Sequence, residues 1–152
     1  MKKPLIKNTG ADPINNNINK FNKVFVFREP PTKEPPQMKL RVSLLSSDEL
    51  GDLISLYESW AEYARGEKIY ALQQYTISEH NYKDLQARFS LTIKAKNREL
   101  TQASILQIPE VKESYVQREA DNMYYTLIAE KCDSLEKTLA TLSRELTRRS
   151  YK

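Results

Sequence analysis

The feature that most constrains this chain is a heptad pattern near its C-terminus. Apolar residues alternate there at spacings of three and four over three heptads, the pattern of a helix that packs lengthwise against another helix. It predicts a long amphipathic helix with a partner. The seam residues are Tyr125, Ile128, Cys132, Leu135, Leu139, Leu142 and Leu146. All of them except Cys132 are also the residues expected to mediate oligomerisation.

A second helical region precedes this seam. Ser46 and Glu49, three residues apart, form a capping-box pattern that predicts a helix start. Beyond it the spacing of three and four recurs with two polar interruptions. This first seam comprises Leu50, Ile54, Tyr57, Ala61, Ala64, Lys68, Ala71, Tyr75, Ser78, Tyr82, Leu85 and Phe89, and Leu53, Trp60 and Leu72 widen it.

Proline positions set the limits of the two helices. None occurs between Pro36 and Pro109, so the first helix can run from about residue 47 to about residue 105. Gly66 and residues 76–81 are its weak points, where poor helix formers favour a kink or break. Pro109 suits the first turn of the second helix. The sequence therefore predicts an all-α fold, a long antiparallel hairpin or coiled coil that closes near Ile108.

The first 45 residues differ from the rest. They hold six of the seven prolines, an asparagine cluster, and nine Lys/Arg against three Asp/Glu, whereas residues 46–152 carry fifteen against seventeen. We interpret residues 1–45 as an extended basic arm and residues 46–152 as a helical oligomerisation domain. Residues 24–27 and 40–45 are β-prone runs. They either form strands or, as we favour, lie across the helices as hydrophobic clips.

Composition excludes several functional classes. A single cysteine, Cys132, permits no internal disulfide, and one histidine, His80, leaves no zinc-binding set. The sequence has no phosphate-binding glycine loop, no nucleophile elbow and no apolar run long enough to span a bilayer. We expect a non-enzymatic cytoplasmic protein without cofactor, metal, membrane or small-molecule substrate. Cys132 is interpreted as a buried hydrophobe.

Two groups of basic residues lie on the predicted helices. Repeated around an oligomer, they would form a band that neutralises phosphates. The candidate nucleic-acid-binding residues are Arg88, Lys94, Lys96, Arg98, Arg144, Arg148 and Arg149, beside Lys137 and Lys152. Eight tyrosines of the helical part are either stacking groups for bases or amphipathic side chains at helix interfaces. These are Tyr57, Tyr63, Tyr70, Tyr75, Tyr82, Tyr115, Tyr124 and Tyr125.

The order of these motifs resembles a family of bacteriophage proteins. A first helix with Tyr57-Glu58-Ser59-Trp60 is followed by a basic stretch, the turn Ile108-Pro109-Glu110-Val111, and a leucine helix that ends Leu142-Ser143-Arg144-Glu145-Leu146-Thr147-Arg148-Arg149. Over about residues 50–149 the chain is similar to recombination mediators of the UvsY type. The resemblance implies a homo-oligomeric ring that binds single-stranded DNA, cooperates with a single-strand-binding protein and helps to load a recombinase.

The sequence therefore favours a helical homo-oligomer that binds single-stranded nucleic acid as an accessory factor in phage-type recombination or replication, in the host cytoplasm if it is phage-encoded. The alternative is a structural or adaptor protein of a large assembly, whose N-terminal arm laces subunits together. A DNA-packaging ring like the small terminase subunits belongs to that alternative. Small terminases usually carry an N-terminal helix-turn-helix domain, and the proline-rich arm contains no such pattern.

Overall fold

The computed structural model describes residues 29–38, 41–93 and 98–151, apart from the side chains of residues 98–100. Within these residues a 3-10 turn at Val42–Leu44 leads into three helices, α1 Ser47–Ser90, α2 Arg98–Leu106 and α3 Pro109–Ser150. The part of the chain described contains no strand, in agreement with the all-α prediction. None of these helices has both the length and the apolar character that crossing a bilayer requires.

The capping box at the start of α1 is confirmed. The Ser46 hydroxyl accepts a hydrogen bond from the Glu49 amide at 3.1 Å, and the Glu49 carboxylate accepts one from the Ser46 amide at 2.8 Å. Two amides that would otherwise lack a partner are thereby satisfied. Asp48 and Glu49 in the first turn also favour the positive end of the helix dipole.

Neither expected weak point interrupts α1, which is continuous through Gly66 and through residues 76–81. The hydroxyl of Thr76 donates to the Leu72 carbonyl at 2.8 Å, and that of Ser78 donates to the Tyr75 carbonyl at 3.0 Å. These side chains therefore satisfy their polar groups on the helix itself. Packing against α3 then outweighs their low helix propensity.

The extent predicted for the first helix was wrong at its C-terminal end. α1 ends at Ser90, and a separate helix, α2, follows it. At this end the hydroxyls of Ser90 and Thr92 donate to the carbonyls of Ala87 and Phe89, at 2.7 and 2.9 Å. The backbone amides of Thr92 and Ile93 both donate to the Phe89 carbonyl at 3.1 Å, so the regular helical hydrogen-bond ladder ends here. The hairpin therefore closes through a segment that contains its own short helix and ends at Ile108, the N-cap of α3.

α3 begins as predicted, with Ile108 at the N-cap and Pro109 in the first turn. It runs antiparallel to α1. Arg65 pairs with Glu136 at 2.7 Å, whereas the rings of Tyr82 and Tyr115 lie 5.6 Å apart, so later residues of α1 meet earlier residues of α3.

Two apolar clusters hold the hairpin together. The larger fills the open end, where α1 begins and α3 ends, and the smaller fills the closed end around Tyr82, Ile105 and Val111. Eight of the twelve predicted first-seam positions are buried, so that seam is confirmed in outline. The larger cluster contains Leu50, Ile54, Tyr57, Trp60, Ala61, Ala64, Cys132, Leu135 and Leu142.

The segment before α1 lies across the open end. The Trp60 indole donates to the Thr32 hydroxyl at 3.0 Å, the Tyr57 hydroxyl donates to the Pro36 carbonyl at 3.2 Å, and Val42 packs against the larger cluster. Val42 therefore contacts the helices as the clip interpretation expects, whereas Leu44 of the same run is 72% exposed. Leu40 and residues 24–27, and with them the prediction of a clip or strand there, lie outside the described residues.

Candidate nucleic-acid interface

The outer face of α3 carries a second line of residues at spacings of three and four, which we call the outer line. All eleven of its side chains are exposed. It changes character along the helix, from apolar through Glu130 and Ser134 to basic. The outer line comprises Val116, Ala120, Met123, Leu127, Glu130, Ser134, Lys137, Thr141, Arg144, Arg148 and Tyr151. Because residues at this spacing share one helix face, the outer line is a continuous surface.

The last five residues of the outer line form its basic segment: Lys137, Thr141, Arg144, Arg148 and Tyr151. At 1.5 Å per residue this segment is roughly 21 Å long. Lys137 and Arg144 make no ion pair with any residue that the structure describes. Their charges are therefore available to an anionic partner.

Tyr151 completes this segment. It was not among the eight tyrosines that the sequence predicted to stack on bases or to lie at helix interfaces. It caps α3 and is 87% exposed. It follows Arg148 at the three-residue spacing of the outer line. Continuation of the line beyond Arg148 is the signal that would have identified it. An exposed aromatic ring beside arginines is the arrangement on which unpaired bases stack.

Arg148 is oriented by a carboxylate. Its Nε and Nη2 both donate to Glu145, each at 2.9 Å. Together with the bond from Arg149, this pairing lowers the pKa of the Glu145 carboxyl to about 2. Arg148 keeps an exposed guanidinium, and Glu145 holds it along the helix surface. The bidentate pair therefore fixes the direction of the side chain and offsets part of its charge.

Arg149 has a different environment. Its Nη2 donates to the Val42 carbonyl at 3.0 Å, its Nη1 donates to the Leu45 carbonyl, and its Nε donates to Glu145. The side chain is only 20% exposed. Arg149 was predicted to contact nucleic acid, but these bonds commit most of its donors to holding the 3-10 turn against the end of α3.

Arg88 and Arg98, the described members of the other predicted basic cluster, lie at the opposite end of the hairpin. Arg88, in the last turn of α1, pairs with Asp84, and Arg98 begins α2. Lys94, Lys96 and Lys152 lie outside the described residues. Because α1 and α3 are antiparallel and more than forty residues long, Arg88 and Arg144 are separated by roughly 50 Å. Arg88 therefore shares no surface with Arg144 and Arg148 within a chain.

Most of the predicted stacking tyrosines are engaged inside the hairpin. The rings of Tyr75 and Tyr125 stack 6.4 Å apart, and the Arg118 guanidinium lies 4.8 Å from the ring centre of Tyr82 and 5.1 Å from that of Tyr115. The Tyr63 ring meets Trp60 edge-on, and the Tyr124 hydroxyl donates to Glu67. These contacts favour the interface interpretation for these tyrosines.

The six residues expected to mediate oligomerisation face α1 of the same chain. Leu135 and Leu142 are buried, Leu139 and Leu146 pack against the larger cluster, and Tyr125 stacks on Tyr75; Ile128 is half-buried. Their role between copies stays a prediction. Cys132 is buried among them, and burial raises the pKa of its thiol, which favours its interpretation as a small hydrophobe.

Acidic residues lie near the basic segment. Asp48, Glu49 and Asp52 occupy the first two turns of α1, at the same end of the hairpin as Arg144 and Arg148. They weaken the positive potential on the α1 side. An anionic polymer would therefore approach from the far side, along the outer face of α3.

Comparisons of the chain with protein-family models, curated proteins and solved structures find no match. The resemblance to UvsY-type mediators consequently stays a prediction from the sequence pattern.

Proposed function

We propose that the protein is a non-enzymatic, self-associating helical protein that binds single-stranded nucleic acid along the basic segment of the outer line. The observation that carries the proposal is the alignment of Lys137, Arg144, Arg148 and Tyr151 on one exposed helix face. Three cations supply phosphate contacts, and the ring supplies a stacking surface. A role in phage-type recombination or replication, beside a recombinase or single-strand-binding protein, is part of the same proposal.

Single strands suit this surface better than duplexes do. The basic segment is one side chain wide and has acidic residues at its flank, so it matches one backbone rather than two. The exposed ring of Tyr151 also requires an unpaired base with which to stack.

The test is fluorescence anisotropy with a labelled oligothymidylate, with and without its complementary strand. Wild-type protein should bind the single strand at low salt, and its affinity should fall with a log–log slope of about −2 per chain if three phosphates are contacted. The variant Lys137→Gln/Arg144→Gln/Arg148→Gln should lose this binding and its slope. Arg149 is left intact because it holds the 3-10 turn.

A matched control removes the same charge elsewhere. Arg65→Gln/Lys68→Gln/Lys83→Gln removes three charges of α1 whose ion pairs, two with α3 and one within α1, are exposed. Exposed ion pairs contribute little to stability. This variant should bind the oligonucleotide nearly as wild type does. Equal losses of oligonucleotide affinity in the two triple variants would mean that binding depends on net charge alone and not on the basic segment. Absence of wild-type binding at low salt would refute the proposal.

The adaptor alternative is favoured by the hydrogen bonds that fasten residues 32 and 36 to Trp60 and Tyr57. They give the arm an attachment point on the helical body, as a lacing segment requires. Deletion of residues 1–28 keeps these bonds. Loss of self-association with oligonucleotide binding intact would support the adaptor function, whereas loss of binding with association intact would assign the arm to nucleic acid.

A further inference from the structure

The first four residues of the outer line form its apolar segment: Val116, Ala120, Met123 and Leu127. Val116, Met123 and Leu127 are 58%, 66% and 58% exposed. They alternate at spacings of four and three on the face opposite α1, so they add nothing to the core of their own chain. A helix with an apolar stripe on each of two opposite faces is suited to pack against a helix on each side.

The charges that flank the apolar segment indicate what covers it. Two-fold antiparallel pairing of α3 with a second α3 would bring Val116 opposite Leu127 of the second copy, and Ala120 opposite its Met123. In this register Glu110 lies beside Lys131 of the second copy, and Lys112 lies beside Asp133 of the second copy. The two-fold axis repeats both pairs on its other side. Each of these pairs is of opposite charge. Glu110, Lys112 and Lys131 are exposed and make no ion pair with another described residue, whereas Asp133 also pairs with Lys68 of its own chain at 3.8 Å.

Parallel pairing lacks this complementarity. It would bring Lys112 beside Gln117 and Thr126 beside Lys131, without a pair of opposite charges at either end of the apolar segment. Antiparallel pairing has one like-charge contact, Glu113 against Glu130 of the second copy. That contact supplies a test of the register, because its neutralisation should strengthen the pairing.

We infer that the apolar segment is a dimer interface at which α3 pairs antiparallel with α3 of a second copy of this chain. The inference rests on the self-association that the proposed function requires, and it specifies the surface and the symmetry. In this register α3 of the second copy begins opposite Ser134. The paired α3 helices therefore leave both basic segments uncovered, one at each end of the dimer. The Arg144 residues of the two copies are roughly 70 Å apart. The same residues contact in both directions, as in a closed two-fold interface.

Charge reversal at Glu110 and Lys131 tests the register without disturbing the core. Glu110→Lys and Lys131→Glu should each raise the dimer dissociation constant roughly tenfold, because two symmetry-related contacts become repulsive. The double variant should restore the wild-type value within about twofold. Sedimentation velocity across the micromolar range measures all four proteins. Glu58→Lys, an exposed reversal on α1, is the control and should leave the constant unchanged.

Two further variants complete the design. Leu127→Glu should make the protein monomeric, and Glu130→Gln should tighten the dimer by relieving repulsion from Glu113. A monomeric wild type across this range, or single reversals that leave the constant unchanged, would overturn the inference. So would a double variant that is weaker than both single reversals.

Failure of this inference and failure of the proposed function are distinguishable. Leu127→Glu leaves the basic segment intact and should still bind the labelled oligothymidylate at low salt. If the wild type is monomeric and still binds the oligonucleotide, the dimer inference is refuted and the nucleic-acid proposal is not. A dimer that follows the charge-reversal pattern without binding the oligonucleotide would refute the nucleic-acid proposal alone.

Discussion

Truncation of Leu142 tests whether the leucine seam of α3 is packed within one chain. The Leu142 side chain is fully buried in the larger cluster, with Leu50 and Trp60 among its members. Leu142→Ala should therefore lower the free energy of unfolding by about 3 kcal/mol, which combines lost burial with the cavity left behind. Leu127→Ala is the matched control, since it makes the same change on the same helix at a side chain that is 58% exposed.

Urea unfolding followed by circular dichroism at low protein concentration measures the difference. With an m-value of about 2 kcal/mol/M, a loss of about 3 kcal/mol moves the midpoint down by about 1.5 M for Leu142→Ala. Leu127→Ala should lower the free energy by less than about 0.5 kcal/mol. A midpoint for Leu142→Ala that lies within the error of the control would refute the intramolecular packing described above.

Three further predictions concern the open end of the hairpin. Arg149→Gln should destabilise the fold by about 1–3 kcal/mol, because it leaves two carbonyls without a charged donor. Arg148→Gln should change the urea midpoint little, and equal effects of the two substitutions would contradict the assignment of Arg149 as the structural residue. The folded-state pKa of Glu145 is lowered from 4.5 to about 2, so its contribution to stability is present above pH 4.5 and is lost as the pH falls towards 2. The difference in unfolding free energy between wild type and Glu145→Gln should therefore disappear over that interval. A constant difference would argue against the pairing of Glu145 with Arg148 and Arg149. Thr32→Val removes the acceptor of the Trp60 indole and should shift the fluorescence emission maximum of Trp60, while deletion of residues 1–28 should leave that maximum unchanged. A shift on deletion without a shift in Thr32→Val would contradict the position of residues 29–38.

Local sequence signals predicted most of the helical framework. The capping box at Ser46 and Glu49, and Pro109 at the start of α3, each act within one turn, so their effect can be inferred from neighbouring residues. The buried seams were predictable for a similar reason, because a spacing of three and four places residues on one face whatever the partner is.

The end of α1 was not predictable in the same way. Ser90 and Thr92 are compatible with a helix. The helix nevertheless stops there, where the amides of Thr92 and Ile93 share the Phe89 carbonyl and Phe89 packs against the cluster that includes Ile105 of α2. The error at Gly66 was the opposite one, since a kink or break was expected where α1 is continuous. A poor helix former is tolerated there because tertiary contacts hold the helix along its length.

Contacts distant in sequence account for the rest. Arg149 reaches carbonyls 104 and 107 positions earlier, and Trp60 reaches Thr32 across 28 positions. No local pattern indicates such bonds. The same limit applied to the apolar segment of the outer line, because its exposure is known only once α1 is placed on the opposite face of α3.

Native mass with and without an oligothymidylate tests the central claim most directly. We expect the protein alone to have twice the mass of one chain. Oligonucleotide should add to the mass of the wild type but not to that of Lys137→Gln/Arg144→Gln/Arg148→Gln. A single-chain mass that remains unchanged when the oligonucleotide is added at low salt would contradict this claim.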